Sequence, residues 1–322
     1  MRDRHRRPGA RGATAPRNTA ARLGTTAASR TTCDRDYSLS EALRAACSEA
    51  GIVFREVPAD GRWHKTDIDD DPHGGGDGRI KLFPDGEGGI VCNWKGETLP
   101  FFAGDGRKLT EAERQDRKRR RADAIRQAGE EEARRRTEAR DQAQALWKAA
   151  KPAPADNPYL TLKAVAPVAA LREIPAGEAA KVLGYTPKSS GEPLTGRLLI
   201  VPVKVGGELS TVEMIDGGRR KTTLYGGAKR GGYWAAQPLP EGDGEGLVLL
   251  IGEGVATVLS AKEASGHPAI AALSCGNLEP VAKAMRDLYP AAVLVVLADL
   301  VKATGEPDPH AIEAARAVGG LV

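Results

Sequence analysis

The chain has 322 residues, 41% hydrophobic and 4% aromatic, with a formal net charge of +4, so Leu, Val, Ile and Ala must fill a core large enough for two modest domains or one with appendages. Its four cysteines, Cys33, Cys47, Cys92 and Cys275, form no CxxC pair; this argues against a disulfide framework or a zinc ribbon and suits a reducing, cytoplasmic setting. No apolar stretch approaches the length of a membrane span, so a soluble protein without a membrane partner is expected.

Residues 1–36 are rich in Arg, Ala, Thr and Gly, with Asp3 the only acid before Asp34. Lacking an apolar signal core, they read as a disordered basic arm. Order is expected from "YSLSEALRAACSEAGIVFREV", where Ser38 and Glu41 have capping-box spacing and Gly51 ends the helix. Residues 61–105 alternate Gly/Asp-rich turns with short runs such as "RIKLF" and "GIVCNW", so 37–108 reads as a small, β-rich α+β module built on hairpins. His64, His73, Cys92 and the Asp69–Asp71 cluster lack a recognised ligand spacing and read as turn and surface residues rather than a metal site.

From 109 to 156 the composition shifts to Glu, Arg, Ala and Gln. Pairs such as Glu113 with Arg117 and Glu132 with Arg136 have favourable i,i+4 spacing. With little apolar surface, the segment reads as a long exposed helical linker, broken by "KPAPADNP". The run Arg117–Arg121 suits a solvated face; its functional alternative is a grip on a phosphate backbone.

Residues 157–240 contain the strand-like runs "GRLLIVPV", "ELSTVEMI" and "RKTTLY" joined by Gly-rich turns, an antiparallel meander. From 241 to 322 short apolar runs alternate with helical patterns. Strands are expected at 247–251, 269–273 and 292–298, in a parallel sheet with helices on its faces. Sites in such sheets form at the carboxyl ends of the strands. Glu253 lies just past the first, Ser274 and Asn277 just past the second, and Asp299 just past the third. Glycines on both sides of Glu253 would let the chain turn sharply there. Two facing carboxylates call for a cation, and Mg2+ (or Mn2+) suits oxygen ligands and substrate phosphates. The competing structural reading is that Glu253 caps a helix N-terminus.

"LIGEGVATVLSA", "ALSCGNL" and "VLVVLAD" together resemble the TOPRIM domain of bacterial, plasmid and phage DNA primases, topoisomerases and related nucleases. The segments "NPYLTLKAV", "GRLLIVPV" and "STVEMIDGGRRKTTLYGGAKRGGYW" resemble the small antiparallel subdomain that precedes TOPRIM in the plasmid and phage branch. The resemblance covers roughly 157–322. It implies an α/β fold with a C-terminal TOPRIM-like parallel sheet flanked by helices, in which Glu253 and Asp299 hold Mg2+ and act catalytically. Three departures stand out. Val301 replaces the second acid of the family's DxD pair, with Asp308 reading as an N-cap before Pro309; no zinc ribbon is present and no zinc is expected; and the chain stops at "VGGLV", where such domains add a strand, as in a truncated domain.

The expectation is a primase-like nucleotidyltransferase of plasmid or phage DNA replication, acting on single-stranded DNA and nucleoside triphosphates, with a replicative helicase as a further partner. Arg197, Lys221, Lys229 and Arg230, on or beside Gly-rich loops, are the candidate phosphate contacts, joined by Asn277. The alternatives are a TOPRIM nuclease using the same acids and a degenerate, non-catalytic DNA-binding module.

Overall fold

A computed structural model describes residues 38–69, 76–93, 98–104, 110–301 and 304–322. The expected basic arm, His73, Asp70 and Asp71 lie outside the described residues. Seven helices and several sheets make a mixed α/β structure among those residues. None of these helices is long and apolar enough to cross a membrane.

The first module is built from α1 (Leu39–Ala50) and four strands, β1 (His64–Thr66), β2 (Gly78–Leu82), β3 (Gly88–Asn93) and β4 (Thr98–Phe102). The strands pair as an antiparallel meander in chain order. Ser38 and Glu41 form the reciprocal capping box, and Gly51 stops the helix in the left-handed region at φ 64°. The helix buries Leu43, Ala46 and Cys47 against Ile80, Val91 and Phe101. Burial pushes the Cys47 thiol up to about 12, so it packs as a small hydrophobe.

Helix α2 (Glu111–Ala149) is one continuous element with its own capping box, Thr110 with Glu113. Its role differs from that of a linker at both ends. Near the start, Arg117 donates to the Ala103 carbonyl (2.9 Å) and pairs with Glu87. Arg120 pairs with Asp85 and Glu87, and Arg121 lies 4.4 Å over the Phe102 ring. Much of the basic run therefore faces the acidic turn of the first module. At the other end Ala139, Ala143 and Leu146 are buried in a core shared with the next sheet. Alanines at i and i+4, followed by Leu146 at i+7, let the helix lie close on that sheet, a packing surface that composition conceals.

Beyond α2 come β5 (Lys151–Pro152), α3 (Pro158–Leu162), β6 (Arg172–Pro175) and α4 (Ala176–Leu183). A two-stranded hairpin of β7 (Lys188–Ser189) and β8 (Glu192–Pro193) precedes the meander of β9 (Arg197–Val205), β10 (Glu208–Ile215) and β11 (Lys221–Thr223). The five-stranded antiparallel order is β11-β10-β9-β6-β5. One face, with Leu198, Ile200, Val212 and Met214, lies under α2 and α4. The opposite face, with Leu199, Val201, Val203 and Ile215, packs toward the C-terminal sheet. Covered on both sides, β9 reads as an apolar run rather than an alternation.

The C-terminal sheet contains β12 (Trp234–Ala235), β13 (Val248–Gly252), β14 (Ala269–Ala271) and β15 (Val293–Val296) in the order β12-β14-β13-β15. Strand β13 pairs in parallel with β14 on one side and β15 on the other, and β12 adds an antiparallel edge. Helix α5 (Val255–Ser265) covers one face; α6 (Leu278–Leu288) and α7 (Pro309–Ala317) cover the other. The segment after α7 runs beside β15, where Leu321 donates to the Leu294 carbonyl and accepts from the Val296 amide, both at 2.8 Å. "VGGLV" thus joins the sheet.

Candidate functional site

The chain leaves β13 toward β14 on one side, then crosses back to place β15 on the other. Such a reversal opens a crevice at the carboxyl ends of the two diverging strands. Glu253 follows β13 immediately, and Asp299 follows β15 after two intervening residues. Pairing persists to this edge, because the Leu297 amide donates to the Ile251 carbonyl at 2.7 Å. The chain then turns back on itself. Leu300 bridges Pro307, the Val301 amide donates to Glu306, and the Asp308 amide donates to the Asp299 carbonyl at 2.9 Å. Asp308 caps α7 by accepting from the His310 amide at 2.8 Å, as "DPH" implies. It also stands within electrostatic reach of Glu253.

Glu253 is half-buried, and its carboxyl is held above the usual range. Burial is the main cause. The charge of Lys221 opposes it, Asp299 and Asp308 reinforce it, and Lys229 gives a weaker opposition. The Glu253 carboxylate has no hydrogen-bond partner among the described residues. Helix α5 has Gly254 as its N-cap, without a side-chain cap, so the structure does not use Glu253 as the cap. Nor do the flanking glycines make a left-handed turn. A Cβ on Gly252 would sit 3.0 Å from Val258 Cγ2 and 3.3 Å from Leu297 Cδ1, while Gly254 has φ −101°. Gly252 permits close packing and Gly254 serves as an N-cap; neither adopts a left-handed backbone.

The candidate cations divide. Lys221 is exposed on β11, in the field of Glu253. Arg230 is exposed beside a cleft of about 450 Å³ that Cys275, Glu279, Lys283 and His310 also line. Arg197 pairs with Asp156 (3.1 Å) and Glu173 (3.4 Å), tying the end of β9 to the segment before α3. Lys229 is buried, donating to Glu213 (3.1 Å) and to the Leu273 carbonyl (3.0 Å). Asn277 is buried as well. Its amide group donates to the carbonyls of Lys229, Gly232 and Ala272 and accepts from the Gly231 amide. Asn277 is thus occupied in binding the Gly-rich loop to the strand end. Sequence reasoning passed over Glu213 entirely. Its signal was a lone acid inside "STVEMI", where both faces of the strand are buried.

Among the described residues no group of three or more His, Cys, Asp or Glu side chains is placed to hold a metal ion. His64 pairs with Asp60, and Cys92 accepts from the Thr98 hydroxyl. An all-protein cage is therefore not what these residues form. Glu253 and Asp299 are the carboxylates that a divalent ion at this edge would have to use, with substrate oxygens and water in its remaining positions. A half-buried carboxylate facing two further negative charges would be relieved by such an ion.

Over 78 residues, 22% of its length, the chain is 42% identical to the DNA primase TraC of Escherichia coli, and the match covers 7% of that protein. A second Escherichia coli protein of the same name matches at 42% over 78 residues, 22% of this chain and 5% of its own. The chain thus corresponds to a small part of these relatives. No family model matches, and no solved structure does. Part of the chain is related to a DNA primase.

Proposed function

We propose that the chain is a DNA primase-like protein whose C-terminal sheet works as a TOPRIM-type site. It binds single-stranded DNA and nucleoside triphosphates and joins ribonucleotides. The observation that carries this reading is that Glu253 and Asp299 follow the carboxyl ends of two adjacent parallel strands. The partial identity to a DNA primase supports it. Glu253 and Asp299 would hold Mg2+ (or Mn2+), which would supply charge neutralisation for the triphosphate and the leaving pyrophosphate. Lys221, exposed beside Glu253, gives the phosphate chain a cation without a competing protein hydrogen bond among the described residues. Arg230, exposed on the Gly-rich loop, extends the positive surface toward the template strand.

The test is ribonucleotide incorporation on a single-stranded template, with and without Mg2+, for the wild type and Glu253→Gln. Mg2+-dependent synthesis lost in the variant is the expected result. Template cleavage without synthesis would assign a nuclease instead. A second reading, a non-catalytic DNA-binding module, is favoured by Val301 at the position of a third acid and by the lack of a three-ligand group among the described residues. Tight DNA binding with neither activity would establish it.

A further inference from the structure

Leu273, two residues past the end of β14, has a left-handed backbone that non-glycine residues avoid, with φ 69°, and it is buried. A non-glycine residue stays in the left-handed region only where its surroundings over-determine it. Here both backbone groups of Leu273 are engaged. Its amide donates to the Glu253 carbonyl at 2.7 Å, and its carbonyl accepts from Lys229 Nζ at 3.0 Å. The Lys229 ammonium is in turn held by Glu213, 3.1 Å away on β10. One residue earlier, the Ala272 amide donates to Gly252 and its carbonyl accepts from Asn277.

Burying an ammonium and a carboxylate gains little stability over an apolar pair of similar volume. What this pair adds is a fixed geometry joining β10, the Gly-rich loop and the end of β14. We infer that Lys229 is a positioning residue. With Glu213 it locks the left-handed Leu273, and through the Leu273 amide it sets the backbone of Glu253 at the sheet edge. The inference rests on the reading of Glu253 as the working acid, and it gives Lys229 a role inside the protein instead of on a phosphate.

The decisive variant is the double replacement Lys229→Met with Glu213→Leu. The single change Lys229→Met strands a buried carboxylate and is expected to unfold the region; the double change removes both charges and restores thermal stability toward the wild type. Two quantities are then read on the full chain: amide hydrogen exchange at Leu273 and Mn2+ affinity by titration. If Lys229 positions the edge, Leu273 exchanges about tenfold faster in the double variant, as for loss of roughly one net hydrogen bond, and Mn2+ binds at least severalfold more weakly despite restored stability. Unchanged exchange at Leu273 overturns the lock. Faster exchange with unchanged Mn2+ affinity overturns the link to Glu253. A wild type that binds no Mn2+ and makes no primers sinks the functional reading, while the exchange measurement still decides the lock.

Discussion

The amide of Asp308 donates to the carbonyl of Asp299 at 2.9 Å, so a short return of the chain holds two acids opposite each other at the edge where Glu253 emerges. Asp308 therefore has two roles, an N-cap for α7 and a negative charge in the field of Glu253. Asp308→Asn keeps a side chain that caps nearly as well and removes the charge, whereas Asp308→Ala removes both. We expect Ala to cost about 1 kcal/mol in urea denaturation and Asn only a fraction of that. Both should weaken Mn2+ binding; equal Mn2+ affinity in Asn and wild type would restrict Asp308 to capping.

Glu253 gives the pH prediction. Its folded pKa is raised above the ordinary glutamate value, so the native state binds the proton more tightly than the unfolded chain. Stability from this group is therefore present at low pH and is lost as pH rises through the raised value. In metal-free buffer the melting temperature of Glu253→Gln should gain on that of the wild type as pH climbs from about 4.5. At neutral pH the variant should be as stable or more so, yet inactive. A variant destabilised at neutral pH would point to a structural carboxylate.

The salt dependence of single-stranded DNA binding separates the two groups of basic residues. Lys221→Gln should flatten the slope by about 0.7 if the side chain meets one phosphate. Arg117→Gln with Arg120→Gln should leave the slope unchanged, because those side chains face Asp85, Glu87 and Ala103. It should instead loosen the first module against α2, detected as faster proteolysis. A flattened slope for the arginine pair would restore the phosphate-grip reading.

Leu146 tests the packing of α2. Fully buried against the antiparallel sheet, it should cost about 2–5 kcal/mol on replacement by Ala. Ile125→Ala, on the same helix but half-exposed, should cost well under 1 kcal/mol, as is usual at the surface. Similar small losses at both positions, measured by denaturant titration, would return α2 to the status of a linker.

Local rules made much of the fold legible. The capping box at Ser38, the stop at Gly51, the meander of β9 to β11 and the alternation of strands and helices after residue 246 all follow from neighbours a few residues apart. The positions of Glu253 and Asp299 at one sheet edge follow from the same alternation, since parallel strands joined by crossover helices bring their carboxyl ends to one side.

What the sequence by itself determined is thus the order of the elements and which residues stand at their ends. Only the tertiary structure decided which charges are spent inside the protein. Lys229 meets Glu213 sixteen residues away across a strand, Arg120 meets Asp85 from another module, and Asn277 closes on a loop more than forty residues earlier. In sequence Lys229 and Asn277 resemble Lys221, a basic or polar residue near glycine. The physical reason is that a backbone hydrogen-bond pattern is set by residues a turn apart, while the desolvation and pairing of a charge depend on which distant surface folds over it.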